Sequence, residues 1–285
     1  MGVTVSALYS YPVKSCAGIP YERSCAVGAA GIEQDREWVV VDQQGVFMTQ
    51  RKWPRMALIR VQPVSNGILF SAPGSEDFVL DTQQSTVADQ QVFVKIWASS
   101  CVGRDEGDGI AQWLSQFLGT PCRLLRRHHY ADRHPDAQLL HTWQSTYGKL
   151  DAEHTFGFAD SLPFLITNEA SLLELNAEIA AQGDQAVSMA RFRPNIVVSG
   201  LPAYAEDSVR GIQIGEVYFA ILKSCTRCPL PNVDPLTAQV GAQPLKALLA
   251  SRRFSNRVLF GVQAVLARPA QARLHLGQTV QVDYA

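Results

Sequence analysis

The sequence has 285 residues, 47% hydrophobic and 18% charged, with a formal net charge of −1. That length builds one large or two ordinary domains with a sizeable core, and the balanced charge gives no electrostatic case for a nucleic-acid partner. No stretch nears the roughly 20 apolar residues of a membrane span, no basic-then-apolar leader opens the chain, and six scattered cysteines make no secreted disulfide framework, so a cytoplasmic protein is expected.

Val3 to Tyr9 alternates as a strand and runs into Tyr11-Pro12-Val13-Lys14-Ser15-Cys16-Ala17-Gly18. Pro12 stops the pairing and Gly18 permits a tight turn, which leaves Lys14 and Ser15 at a strand end. Tyr21 to Val27 reads as a second strand. Asp35 to Asp42 reads as a third, closed by Gln43-Gln44-Gly45 into a hairpin with Val46 to Thr49. Arg36 opens that hairpin and Arg51 follows it, both also readable as paired surface arginines. Ala57 to Val64 and Ile68 to Ala72 flank Asn66-Gly67, a strong hairpin signal. Phe78 to Leu80 and Gln91 to Trp97 continue the β pattern. The first ~100 residues therefore predict a small barrel or folded sheet.

Asp108 to Leu118 predicts a helix, with Ile110, Trp113, Leu114, Phe117 and Leu118 on one face and Gly119 ending it. Cys122 to Leu125 is a strand. From Arg126 to Ala159 the pattern fails. The segment is polar, its basic start includes His128 and His129, and a long site-bearing loop is expected. Asp160 to Thr167 predicts a buried strand, Glu169 to about Ala181 a helix, and Arg191 to Val198 a strand whose start carries two arginines and Asn195. Gly200 to Gly211 reads as a loop. Pro244 to Ser251 is a short helix, and Val258 to Ala267 and Thr279 to Tyr284 are closing strands. The fold class is α+β and β-rich, with a β-barrel-like domain over residues 1–122 and a second β-barrel domain with a few packed helices over 123–285.

The most informative stretch is Lys223-Ser224-Cys225-Thr226-Arg227-Cys228-Pro229-Leu230-Pro231. It follows a strand at Glu216 to Leu222, and its prolines forbid helix and central strand alike. Two thiols are thus presented on a stiff loop, with Arg227 between them to favour thiolate. Such a thiolate suits a metal ligand or a nucleophile, although a lone C-x-x-C also occurs as two small buried apolar residues. Zinc would want a second ligand pair, and Cys16, Cys25, Cys101 and Cys122 are scattered singly. The other polar groups at strand ends are Lys14, Ser15, Arg36, Ser161, Arg193, Asn195, Thr226 and Arg227. Four of these are cations and three carry hydroxyls, a set suited to a phosphate-bearing ligand.

Four blocks, in order, resemble the molybdenum cofactor sulfurase C-terminal (MOSC) domain family, specifically its amidoxime-reducing component branch. Tyr11-Pro12-Val13-Lys14-Ser15-Cys16-Ala17-Gly18 resembles the start of the family's N-terminal β-barrel domain. Ser161-Leu162-Pro163-Phe164-Leu165-Ile166 resembles its pterin-side strand, and Phe192-Arg193-Pro194-Asn195-Ile196-Val197 a hallmark of the MOSC domain. Cys225-Thr226-Arg227-Cys228, followed by Val233-Asp234-Pro235-x-Thr237, is similar to the molybdenum-binding loop.

The resemblance implies a reductase of N-hydroxylated compounds (amidoximes, hydroxylamines, N-hydroxylated bases) that carries Mo-molybdopterin. It makes Cys228 the thiolate on molybdenum and leaves Cys225 out of the ligand set. Lys14, Ser15, Arg36, Arg193 and Asn195 would hold the pterin and its phosphate, Ser161, Thr226 and Arg227 would add contacts, and Asp160 would assist proton delivery. The C-x4-C-x2-C signature of an appended plant-type iron–sulfur domain is absent from these 285 residues. The expected electron donor is therefore a separate protein: a ferredoxin, flavoprotein or b-type cytochrome. The run Pro229-Leu230-Pro231-Asn232 is more proline-rich than the family loop. Two other roles fit the same residues: a sulfur carrier with a Cys228 persulfide, and a non-catalytic molybdopterin-binding protein.

Overall fold

The computed structural model describes residues 2–83, 91–128, 133–150, 154–268 and 271–285. His129 lies outside them. The chain is β-rich α+β, with four α-helices among the described residues: α1 (Asp108–Leu118), α2 (Ala137–Tyr147), α3 (Glu169–Ala181) and α4 (Leu245–Ser251).

The largest sheet runs Val280–Tyr284, Val209–Ile214, Val217–Thr226, Arg257–Leu266, Phe164–Asn168, Ile196–Ser199, Thr4–Ser10, Ile19–Pro20. Its one parallel pair, Phe164–Asn168 with Ile196–Ser199, is joined through α3. The sheet closes on itself: Val5 N–H donates to the Gln278 carbonyl at 2.9 Å, and Val280 N–H to the Val3 carbonyl at 2.8 Å. Closure removes the open edges. Inside lies a core of Val5, Leu8, Phe164, Ile196, Phe219 and Val262.

A second sheet contains Trp38–Val41, Arg123–Arg127, Ser99–Asp105 and Gln91–Ile96. A third meander contains Arg60–Val64, Gly67–Ser71 and Phe78–Asp81. Together with α1 these enclose Trp38, Met48, Met56, Phe70, Leu114 and Leu124. The first strand of the chain belongs to the barrel of the C-terminal half, and Ser24–Gly28 pairs with Ala272–His275. Tyr11 to Cys16 crosses from one core to the other, with Leu8 in the first and Val13 and Cys16 in the second. The Lys14 N–H donates to the Trp38 carbonyl at 2.8 Å. Lys14 and Ser15 therefore sit where the two cores meet.

Several expected elements differ. Val46 to Thr49 returns along Trp38–Val41, with Asp42 N–H donating to the Val46 carbonyl at 3.0 Å and Met48 N–H to the Val40 carbonyl at 2.8 Å, but as an isolated bridge from Val41 to Phe47 rather than a strand, and Trp38–Val41 also pairs with Arg123–Arg127. Ser99–Asp105 is a strand that the pattern did not announce, paired with Gln91–Ile96 across a turn at Trp97. The loop expected over Arg126 to Ala159 contains α2, capped by the Asp136 carboxylate, which accepts from Gln138 N–H at 2.8 Å. Arg191 to Arg193 is not strand: Met189–Phe192 is a 3-10 turn, and the strand starts at Ile196. The strand Val209–Ile214 begins inside the loop expected over Gly200 to Gly211. Among the described residues no helix is long and apolar enough to cross a membrane.

Candidate functional site

One cleft of about 350 Å³ opens at the meeting of the two cores. Lys14, Ser15, Arg36, Asp160, Ser161, Arg193, Asn195, Thr226, Arg227 and Cys228 all line it, although they come from five separate stretches of chain. Phe47, Arg51, Trp97 and Lys223 line it too, and the sequence assigned none of these four a role in the site.

Backbone strain concentrates here. Ser15, Arg36, Trp97 and Arg193 have φ of +67°, +51°, +56° and +58°. Left-handed backbone is costly for residues with a side chain and persists only where surrounding contacts over-determine it. Those contacts are present. The Arg36 N–H donates to the Tyr11 carbonyl at 2.8 Å, and the Arg193 N–H to the Ala190 carbonyl at 3.2 Å.

Two guanidinium groups meet at the Tyr11 ring, Arg36 at 4.4 Å and Arg193 at 4.2 Å from its centroid. Arg36 is held by Asp35 (2.7 and 2.5 Å to the two carboxylate oxygens) and donates to Asn195 Oδ1 at 3.2 Å. Arg193 donates to the Cys16 carbonyl at 2.5 Å, while its Nη2 is buried with no partner among the described residues. Burial, with the charge of Arg36, lowers the Arg193 pKa to about 10. A buried guanidinium nitrogen left unpaired is expensive, and an anion bound beside it would relieve that cost.

Lys14 is buried, and its ammonium donates to Asp160 Oδ1 at 2.5 Å. The Trp97 indole N–H donates to the same oxygen at 2.9 Å. Lys223 donates to the Ser161 hydroxyl at 2.6 Å, and burial lowers the Lys223 pKa.

Two of the expected binding residues are occupied in holding the frame. Asn195, 1% exposed, accepts from Leu165 N–H at 3.1 Å and donates to the Tyr9 carbonyl at 3.3 Å. It thereby ties two barrel strands to Arg36. Arg227 donates to the carbonyls of Phe260 (2.9 and 2.7 Å) and Phe192 (3.0 Å). Its charge is spent on the backbone and fixes the thiol loop.

The strand Val217–Thr226 runs past its expected end and includes Cys225, which is buried, and burial pushes its thiol pKa up. Cys228 lies beyond the strand and is partly exposed. The two thiols are thus unequal, and the accessible one is Cys228. The loop after it is clamped from outside: Arg191 donates to Asp234 Oδ2 at 2.7 Å, and Asp234 Oδ1 accepts from the N–H groups of Leu236 and Thr237 at 2.8 and 3.1 Å.

The described residues contain no cluster of three or more His, Cys, Asp or Glu side chains suited to a metal ion. A metal held at Cys228 would therefore take its remaining ligands from a bound molecule. The wall of cations suits an anionic, phosphate-bearing molecule, and the thiol suits a soft metal.

The family model for the MOSC N-terminal beta barrel domain matches residues 2–121, and that for the MOSC domain matches residues 126–282. Mitochondrial amidoxime-reducing component 1 of Homo sapiens is 34% identical over 284 residues, which is 95% of this chain and 81% of that protein. Mitochondrial amidoxime reducing component 2 of Homo sapiens is 35% identical over 254 residues, 87% of this chain and 72% of its own. The molybdenum cofactor sulfurase of Homo sapiens is 29% identical over 268 residues, 90% of this chain but 29% of that longer protein. With both halves matched and such relatives spanning nearly its whole length, the chain belongs to the MOSC-domain family.

Proposed function

We propose that this chain is a molybdopterin-dependent reductase of N-hydroxylated compounds, with Cys228 as the metal thiolate and electrons delivered by a separate redox protein. The observation that carries the reading is the cleft itself: an accessible thiol in one cavity with Lys14, Arg36, Lys223 and Arg193, whose Nη2 is buried with no partner among the described residues. The names of the amidoxime-reducing relatives support the substrate class.

When bound, the cofactor supplies the oxygen-accepting redox chemistry, and the protein supplies ligation, orientation and electrostatics. Arg193, Arg36, Lys14 and Ser15 would hold the phosphate and pterin. Ser161 and Thr226 add hydroxyls, while Asn195 and Arg227 keep the first group and the thiol in place. Asp160 is 57% exposed, and its second oxygen makes no hydrogen bond among the described residues. That oxygen would hold the substrate O–H. Lys14, whose ammonium donates to the other oxygen at 2.5 Å, would keep that carboxylate in place.

The test is metal analysis and pterin fluorescence on purified protein, wild type beside Cys228→Ala, followed by hydroxylamine and amidoxime reduction with a reduced dye as electron source. About one molybdenum and one pterin per chain, with metal and turnover lost in the variant, is expected. Protein from cells rich in the cofactor that holds neither would overturn the reading, and a persulfide on Cys228 would then mark a sulfur carrier. Cofactor held without turnover would instead mark a non-catalytic binder.

A further inference from the structure

Six cations line the cleft against a single carboxylate, Asp160. Five of the six have polar partners in the protein. Lys14 has Asp160, Arg36 has Asp35, Lys223 has the Ser161 hydroxyl, Arg193 has the Cys16 carbonyl, and Arg227 has two backbone carbonyls. Arg51 is the exception. Its guanidinium makes no hydrogen bond or ion pair among the described residues and lies instead over the Trp97 ring, 4.6 Å from the centroid.

That seat is rigid. Trp97 has a left-handed backbone, its N–H is tied to Asp160, and its ring meets Phe47 edge-on at 5.0 Å. Stacking engages the face of a guanidinium and leaves its N–H edge free in the plane, and that edge is the fork that matches a carboxylate. Arg51 lies over Trp97, whereas Arg36 and Arg193 lie over Tyr11, so it does not share their ring.

We propose that Arg51, seated on Trp97, is a specificity-determining residue that anchors a negatively charged group of the substrate. The cleft then takes planar N-hydroxylated compounds carrying a carboxylate in preference to their uncharged counterparts. The proposal rests on the reductase reading for the reacting group alone, since the anchor is a matter of binding.

The experiment is calorimetric binding of 4-carboxybenzamidine and of benzamidine, the reduced forms of two amidoximes, to purified holoprotein. In the wild type the carboxylated ligand binds about tenfold tighter, as one charge-assisted fork contributes. Arg51→Gln erases that preference and keeps its pterin and metal. Arg51→Lys, which retains the charge without the fork, keeps part of the preference. Equal binding in the wild type, no binding of either ligand, or a preference that survives Arg51→Gln would overturn the proposal. So would loss of cofactor from Arg51→Gln, which would make Arg51 a cofactor ligand. A wild type that binds with the stated preference yet reduces no N-hydroxylated compound would sink the reductase reading and leave the anchor standing.

Discussion

Lys14 and Asp160 are 146 positions apart in the chain, and the Lys14 ammonium donates to Asp160 Oδ1 at 2.5 Å. The pair is asymmetric: the lysine side chain is 6% exposed and the aspartate 57%. A buried ammonium loses hydration that a largely exposed carboxylate only partly replaces. Burial accordingly lowers the Lys14 pKa, with Asp160 pulling the other way. For Asp160, burial pushes the carboxyl up, but the charge and hydrogen bond of Lys14 and the Trp97 N–H outweigh it and hold the group below the usual carboxylate range.

Lys14→Met is therefore expected to raise stability while it weakens cofactor binding. The lysine's burial cost is present below its lowered folded pKa and is relieved as pH climbs from that value toward about 10.4. Removing the charge strands no buried partner, because Asp160 is mostly in solvent. A rise in Tm of about 2 °C at pH 7 is expected, with several-fold lower pterin retention. Scanning calorimetry and pterin fluorescence measure the two, and a clear fall in Tm would show that the ion pair contributes more than burial costs. Asp160 acts at the other end of the pH scale. Its contribution is complete above about pH 4 and is lost as pH falls below that.

Cys228→Ala and Cys225→Ala are expected to part company. Cys228 is partly exposed, so its truncation changes stability by less than about 0.5 kcal/mol while molybdenum and turnover disappear. Cys225 is 7% exposed inside a strand, so its truncation costs about 1 kcal/mol and leaves the metal bound. Denaturant titration and metal analysis of both variants decide the matter, and the opposite pattern would make Cys225 the ligand.

The residues of the cleft were legible where proline and glycine punctuate the chain. Pro12 and Gly18 flank Lys14 and Ser15, Pro194 follows Arg193, and Pro229 follows Cys228. Such residues stop regular pairing and leave side chains at strand ends. Trp97 carries no such mark, because nothing in a tryptophan announces a left-handed turn. Arg51 likewise reads as any surface arginine until its ring partner is seen. The fold was illegible where pairing is distant. Gln43-Gln44-Gly45 signals the local return to Val46 to Thr49, but nothing in it announces that Trp38–Val41 also pairs with Arg123–Arg127. Helix α2 buries only Trp143, so it has no apolar stripe for a periodicity to reveal.

Asp234→Ala should loosen the loop that carries Cys228. The carboxylate joins the Arg191 ion pair to two backbone N–H groups, and its loss is expected to cost about 1–2 kcal/mol. Burial raises the Asp234 pKa, but the N–H groups and Arg191 outweigh that and lower it overall. The stabilisation is therefore present above about pH 4 and lost as pH falls below it. The variant should release molybdenum faster on dialysis at neutral pH, as followed by metal analysis over time. Release at the wild-type rate would mean that Arg227 and the prolines hold the thiol without the clamp.

Gly18→Ala tests the platform beneath the arginines. A Cβ on Gly18 would fall within the Tyr11 ring, which is buried and cannot retreat freely. Either the ring or the turn must shift, and overpacking of this kind costs about 1–3 kcal/mol. The ring is where Arg36 and Arg193 converge, so a moved ring changes the spacing of the two guanidinium groups. The expected result is lower Tm together with pterin loss, while the hydrogen bonds of Asn195, made to Leu165 and Tyr9 backbone, still tie two barrel strands together. Tyr11→Leu separates the two effects, because it removes the surface on which the arginines lie without inserting volume. If that variant holds pterin as tightly as wild type, the arginines are positioned by their hydrogen bonds, to Asp35 and Asn195 for Arg36 and to the Cys16 carbonyl for Arg193, and the ring serves only the core.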